Sequence, residues 1–242
     1  MTGTSTYGKL YLIPTPLGGD EPQRCVPTFN IDILGNIRHF VVEELRTARR
    51  FLRQVIPAFP IDDCDFQLLN EHTTHINSLE MLAPAFVGND MALLSEAGLP
   101  CVADPGALLV SAAHNKGIQV IPLVGASSLM LALMASGLSG QHFCFHGYLP
   151  TDKQQLTAKI RNMEMQSGKN NQSQIFMEAP YRNNQLLQQL LEVCMPSTHL
   201  CIACNLTLSG EYIATKSIKD WRNSPLPQLH KQNTVFILQH NP

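Results

Sequence analysis

Along this chain, short apolar runs alternate with longer stretches whose apolar positions recur at helical spacing. Lys9-Leu-Tyr-Leu-Ile13 reads as a first strand, ended by Pro14-Thr-Pro-Leu-Gly-Gly19, where two prolines and two glycines forbid regular structure. Val41, Leu45, Ala48, Leu52 and Val55 form one apolar stripe, which predicts a helix over about 41–56. Met91–Ser95 reads as a buried strand followed by the loop 96–104. Asp104 as cap, Pro105 at the first helical position and Gly117 as stop predict the next helix. An apolar strand at 118–124 then leads through Gly125-Ala-Ser-Ser128 into a helix ending near Gly137. Strand, loop and helix repeated in this order predict a parallel sheet covered by helices.

The second half has a different rhythm. Strands are predicted at 142–149, 175–178, 199–204, 211–215 and 234–239, with helices at 151–166 and 183–194 and a Gly/Asn/Gln loop at 167–174. Strands gathered towards the end predict a mixed or antiparallel sheet. The change of character falls within 122–138, so the chain divides into two α/β domains, 1–121 and 122–242. The segment Asp20–Asn36 reads as a long, irregular linker.

A length of 242 residues suits two small domains, and 44% hydrophobic residues supply a core for each. Seventeen basic residues against 19 acidic, a net charge of −2, exclude a protein that coats nucleic acid without specificity. Positive charge is nevertheless concentrated locally. Arg46, Arg49, Arg50 and Arg53 recur at helical spacing, and their repulsion must be met by solvent or by an anion such as phosphate or carboxylate.

Seven cysteines, an odd number lying mostly in apolar runs, read as reduced thiols of a cytoplasmic protein. The N-terminus carries no apolar secretion signal. The longest nearly apolar run, 129–135, falls far short of a membrane span. Cys201 and Cys204 have metal-like spacing but lie in a strand, where residues three apart face opposite sides, so no metal site is expected. His72 and His75, with Glu71 adjacent, read as surface residues. Met81, Met130, Met134, Met163 and Met165 read as core filler.

The candidate chemistry lies in three loops, Pro14–Gly19, Gly98–Gly106 and Gly125–Ser128, each directly following an apolar strand. In a parallel sheet such loops collect at the carboxyl ends of the strands, where ligands bind. Glycine lets the backbone approach a ligand closely, and main-chain N–H groups there can hold carboxylate or phosphate oxygens. None of the loops has the dinucleotide fingerprint or the lysine of a P-loop, which disfavours those two cofactors.

These stretches resemble the tetrapyrrole methylase superfamily, which uses S-adenosylmethionine, and within it the branch of the small-subunit ribosomal RNA methyltransferases I. The resemblance rests on Leu10-Tyr-Leu-Ile-Pro-Thr-Pro-Leu-Gly18, Leu93-Leu-Ser-Glu-Ala-Gly-Leu-Pro-Cys-Val-Ala-Asp-Pro-Gly106 and Ile121-Pro-Leu-Val-Gly-Ala-Ser-Ser128. Gly137-Leu, His146-Gly-Tyr-Leu-Pro150 and Phe176-Met-Glu-Ala-Pro-Tyr-Arg182 follow in the same order. It implies a two-domain α/β fold, a largely parallel sheet followed by a mixed one, a homodimer, and S-adenosylmethionine in the cleft between domains.

Position by position, the resemblance assigns Thr15, Pro16 and Leu17 to the first wall of the cofactor site. Gly98, Leu99, Pro100, Val102 and Ala103 form the second wall, Ser127 and Ser128 the third, and Phe176 with Met177 closes the site. Glu44 and Arg46 fall where the branch has a Glu-Asp-Thr-Arg cluster, which makes them the candidate catalytic pair; Leu45 interrupts that pattern. Ser95-Glu-Ala-Gly-Leu-Pro100 stands for Ser-Asp-Ala-Gly-Thr-Pro, and Cys204-Asn-Leu-Thr-Leu208 for Arg-Glu-Leu-Thr-Lys, with departures at Asn205 and Leu208. The implied activity is methylation of a ribose 2′-hydroxyl in small-subunit ribosomal RNA, the arginine face holding the RNA. Methylation of a tetrapyrrole or another small acidic metabolite is the alternative, as is a cofactor binder that has lost catalysis.

Overall fold

The computed structural model describes residues 7–69 and 75–240. The chain forms two compact units, Met1–Ser127 and Ser128–Pro242. The first contains β1 (Leu10–Ile13), α1 (Thr28–Leu34), β2 (His39–Val42), α2 (Leu45–Val55), β3 (Asp65–Leu68), α3 (His75–Met81), α4 (Ala83–Phe86), β4 (Met91–Leu94), α5 (Ala107–Asn115) and β5 (Val120–Pro122). Its sheet has the order β3-β2-β4-β1-β5, and every neighbouring pair is parallel.

Strand alternation sends side chains to two cores. Tyr11, Ile13, Phe40, Val42 and Leu94 pack on one face with Leu34 of α1 and Phe51 and Leu52 of α2. Leu10, Val41, Met91 and Leu93 pack on the other with Leu109, Ala112 and Ala113 of α5. The chain therefore leaves β1 towards one face and leaves the adjacent β4 towards the other. Such a switch point opens a crevice at the carboxyl ends of the two strands, where ligands bind in open α/β sheets.

Several expectations are corrected here. The helix expected over 41–56 begins at Leu45, because Val41 and Val42 belong to β2. A parallel strand buried on both faces is a continuous apolar run, so Val41 fits a helical stripe by coincidence. Helix α5 begins at Ala107 and takes Gly106, not Asp104, as its N-cap. Gly106 sits at φ +127°, and a Cβ there would lie 2.6 Å from Leu93 Cδ2 and 2.8 Å from Cys101 Sγ. The supposed linker 20–36 contains a 3-10 turn, Pro22–Arg24, and α1, whose Leu34 is fully buried. Strand β3 escapes a hydropathy reading because its ends are exposed and its middle only half-buried. Residues 122–127 stay with the first unit: Leu123 lies in its core, and Asn30 Nδ2 donates to the Val124 carbonyl at 2.8 Å. Glu71 and His72 lie outside the described residues.

The second unit contains α6 (Ser128–Ser136), β6 (Phe143–Tyr148), α7 (Lys153–Asn170), β7 (Ser173–Met177), α8 (Asn183–Val193), β8 (His199–Cys204), β9 (Tyr212–Ser217), α9 (Ile218–Arg222) and β10 (Thr234–Gln239). Its sheet order is β6-β7-β10-β8-β9; β6 and β7 are parallel and the other pairs antiparallel, the mixed sheet that the sequence predicts. Phe176 and Phe236 stack at 5.8 Å in the core, and the buried Trp221 donates through Nε1 to the Leu200 carbonyl at 2.8 Å.

The loop expected at 167–174 shrinks to two residues. Ser167 is buried and donates to the Gln172 carbonyl at 2.7 Å, which carries α7 on to Asn170. Asn171, at φ +46°, then ends the helix in a left-handed cap. Of the methionines read as core filler, Met163 is buried, but Met130, Met134 and Met165 are 44%, 77% and 59% exposed. Cys204 packs with Leu200 and Ile202 while Cys201 points to the opposite side of β8, and both are free thiols. Among the described residues no helix is long and apolar enough to cross a membrane.

Candidate active site

The loops after β1 and β4 are stitched together. Thr15 N donates to Gly98 O at 3.0 Å, and Gly98 N returns a bond to Thr15 O at 3.1 Å. Beneath this bridge the buried Ser95 hydroxyl donates to Gly98 O at 2.6 Å, and Thr15 Oγ1 lies 3.2 Å from both Ser95 O and Ser95 Oγ. The third loop reaches the same place: a Cβ on Gly98 would lie 3.2 Å from Leu17 Cδ2 and 3.4 Å from Ala126 O. Gly98 adopts φ +83°, so only glycine sits there without strain. The three loops read from the sequence therefore converge around one glycine.

The loop after β4 carries further strain. Cys101 and Ala103 adopt φ +66° and +58°, uncommon for residues with side chains and characteristic of functional loops. Leu99 is half-buried, Pro100 buried, and Val102 and Ala103 are exposed. Thr15, Pro16 and Leu17 line a hollow of about 160 Å³ with Ser95, Glu96 and, from α2, Arg50. Apolar walls and converging main-chain groups fit a cofactor such as S-adenosylmethionine. Ser127 and Ser128 are half-buried at the end of the third loop. In the second unit Met177 is half-buried, whereas Phe176 is fully buried in the core.

The two adjacent glutamates after β2 have different environments. Glu44 caps α2: its carboxylate accepts from Arg46 N at 2.8 Å, Thr47 N at 2.7 Å and Thr47 Oγ1 at 2.5 Å. The Thr47 hydroxyl, then the two main-chain N–H groups, hold this carboxyl below its usual range. Glu43 joins Glu96 and Asp104 in a group of three acids at the carboxyl edge of the sheet. Burial, then the charges of Glu43 and Glu96, push the Asp104 carboxyl up to about 7. Burial, then Glu96, also raises Glu43. Sequence reading missed this group because Asp104 resembled a helix cap and Glu96 the first residue of a loop. For Glu43 and Glu96 the available signal was an acid one or two residues after a buried strand, β2 and β4.

The sign of the Asp104 effect on stability is fixed. The unfolded chain releases this proton near the ordinary value of 3.8, whereas the folded chain keeps it to about 7. Between those values the folded state binds more protons, so stability falls as pH rises through the window. Thermal melts of Asp104→Asn are expected to lack this fall and to gain on the parent protein as pH approaches and passes 7; parallel melting curves would remove the assignment. Glu44→Ala is expected to lower the melting temperature through loss of the cap while leaving cofactor affinity unchanged. A calorimetric titration alongside the melt checks both.

The arginines occupy the exposed side of α2. Arg49 lies over the Phe66 ring, its Cζ 5.4 Å from the centroid, and among the described residues no carboxylate forms an ion pair with Arg46, Arg49, Arg50 or Arg53. With Glu44, Leu45 and Gln54 they line a recess of about 630 Å³. Among the described residues no group of three or more His, Cys, Asp or Glu could hold a metal ion.

A glycine-gated switch point in a parallel sheet, followed by a mixed-sheet unit, defines a class of two-unit α/β ligand-binding proteins. Within it, the chain belongs to the Tetrapyrrole (Corrin/Porphyrin) Methylases, a methyltransferase family whose sequence pattern matches residues 31–221. It is 29% identical over 244 residues to "Ribosomal RNA small subunit methyltransferase I" of Haemophilus influenzae, covering 99% of this chain and 81% of the relative. The protein of the same name from Vibrio cholerae is 32% identical over 206 residues, covering 84% of this chain and 67% of the relative. The fold is shared with the methyltransferase CobJ, at TM-score 0.62 and 17% identity, covering 96% of this chain and 94% of that structure. It is also shared with uroporphyrin-III-C-methyltransferase from Thermus thermophilus, at TM-score 0.56 and 19% identity and with the same two coverages.

Proposed function

We propose that this chain is an S-adenosylmethionine-dependent methyltransferase acting on a ribose 2′-hydroxyl of small-subunit ribosomal RNA. The observation that carries the cofactor reading is the convergence of three loops on Gly98, where a Cβ would press on Leu17 of the first loop and Ala126 of the third. S-adenosylmethionine, when bound, supplies a methyl group activated by its sulfonium. Thr15, Leu17 and the main chain of Gly98–Ala103 would hold it by shape and hydrogen bonds, and positioning can supply much of the acceleration.

A hydroxyl acceptor must lose its proton as the methyl group arrives. Glu44 is engaged by the N-terminus of α2, whereas Asp104 changes protonation near 7 and becomes an accepting carboxylate above that value. Asp104 is therefore the proposed base, and transfer rises with pH through about 7 before levelling. Arg46, with Arg49, Arg50 and Arg53, would hold RNA phosphates, since guanidinium groups bind phosphate oxygens in pairs. A ribosomal substrate places the protein in the cytoplasm. A homodimer is part of the same reading, and Met134, 77% exposed on α6, is apolar surface that a second copy would cover.

The names of the curated relatives favour RNA over a tetrapyrrole acceptor, and the arginines, which form no ion pair among the described residues, support it. Incubation with methyl-labelled S-adenosylmethionine and small subunits lacking their modifications tests the reading. Label is expected in RNA as an alkali-resistant dinucleotide, the mark of a 2′-O-methyl group. Label confined to a small-molecule fraction would overturn the RNA assignment.

A further inference from the structure

The second unit contains a pocket that the methyl-transfer machinery does not use. It lies where β8 ends and β9 begins, closed by the loop before β10, and has a volume of about 440 Å³, within the range of about 300–1,000 Å³ usual for small-ligand sites. Asn205, Gly210, Tyr212, Gln228, Leu229 and Gln232 line it, and no charged side chain does.

Its construction is firm. Asn205 Nδ2 donates to Gln232 Oε1 at 2.5 Å, and Asn205 N donates to Asn233 O at 2.8 Å. Behind the pocket the fully buried Asn183 holds its floor, donating to Gln232 O at 2.7 Å and Leu229 O at 3.5 Å. Backbone strain concentrates here as well. Among the described residues six with side chains adopt positive φ, and three of them, Asn205, Thr207 and Lys231, flank this pocket. Two others, Cys101 and Ala103, belong to the loop after β4, and Asn171 caps α7. Strain held at a concave, polar site is a mark of function rather than of packing.

The lining specifies the ligand class. Without charge, the pocket has nothing to hold a phosphate or a carboxylate. The joined amides still present one acceptor, Asn205 Oδ1, beside one donor, Gln232 Nε2, and Gln228 adds a third amide. Tyr212, 36% exposed, offers a ring face, and buried Leu229 offers an apolar floor. A flat heterocycle with a donor and an acceptor on one edge satisfies all of these at once. That is how proteins read an unstacked nucleobase: aromatic stacking on the face and amides on the edge.

We propose that this pocket receives one unpaired nucleobase of the RNA substrate, so that the second unit reads sequence while the first unit carries the methyl-transfer site. The RNA source of the base rests on the function proposed above; the base-binding chemistry rests on the pocket alone. The loss of charge at Cys204–Leu208 relative to the branch pattern is then the feature that makes an uncharged reading pocket.

Side-chain amide signals in the nitrogen-labelled full chain test the assignment. Each of the four ribonucleosides is added at millimolar concentration, with S-adenosylmethionine present. At least one is expected to shift the Asn205 and Gln232 amides. Gly210→Val is expected to abolish that shift while keeping the native spectrum. Gly210 lies outside the left-handed region, and a Cβ there would approach Asn205 Nδ2 at 3.5 Å, so the larger side chain grows into the pocket without backbone strain. The same variant is expected to slow methylation of small subunits at least about tenfold, or ~1.4 kcal/mol, with cofactor affinity unchanged. Three results would each overturn the proposal: no shift with any nucleoside, a shift that survives in Gly210→Val, or undiminished RNA methylation by that variant. Because the amide signals are resolved by residue, a failure to bind S-adenosylmethionine sinks the functional reading without obscuring this test.

Discussion

Gly98→Val is expected to lower the affinity for S-adenosylmethionine by at least about a hundredfold, or ~2.7 kcal/mol, while the protein remains folded. Two effects combine. At φ +83° an L-residue carries roughly 1–2 kcal/mol of strain, and a β-branched one more. The new Cβ would also sit 3.2 Å from Leu17 Cδ2 and 3.4 Å from Ala126 O, pushing apart two of the loops proposed to hold the cofactor. Gly117→Val separates the two. Gly117 adopts φ +75° with nothing within 4 Å of its Cβ position, so it brings comparable strain without touching the loops. The Gly117 variant is expected to lose thermal stability and keep cofactor affinity. Equal losses of affinity in both variants would mean that Gly98 acts through stability alone.

Reversing charge on α2 gives the second large effect. Arg50 lines the hollow beside Thr15 and Leu17, so Arg49 and Arg53 make the cleaner pair. Arg49→Glu with Arg53→Glu is expected to weaken RNA binding about a hundredfold at low salt and leave cofactor binding intact. If both arginines meet phosphates of single-stranded RNA, the salt dependence of log K flattens by about 1.4. Filter binding across a salt series reads both quantities. Unchanged RNA affinity would return the arginines to a solvated helix face.

How much of this was legible in the sequence depended on how locally each feature is encoded. The strands 199–204 and 234–239 coincide with β8 and β10, because buried runs bounded by turns announce themselves. The three loops were legible for a similar reason: proline and glycine punctuate the ends of apolar strands, and those ends meet at Gly98. Edge strand β3 was not legible, since Asp65 and Leu68 are exposed and the strand is defined by its pairing with β2. The start of α2 was obscured because a helix stripe and a doubly buried strand share Val41.

The acids show the same division. Glu44 and Glu43 are neighbours in sequence, and the family resemblance singles out Glu44. Only the fold turns one into a cap and places the other with Glu96 and Asp104. The pocket at Asn205 is also a product of tertiary structure. Its residues come from three segments, and in sequence Asn205 registers only as a departure from a family pattern.

The loops of the first unit are proposed to hold S-adenosylmethionine. Calorimetric titration of the full chain with this cofactor tests it most directly. Saturable binding is expected, one molecule per chain, in the micromolar range common for enzyme ligands, with the heat lost in Gly98→Val. Absence of binding at millimolar cofactor, or undiminished binding in that variant, would contradict it.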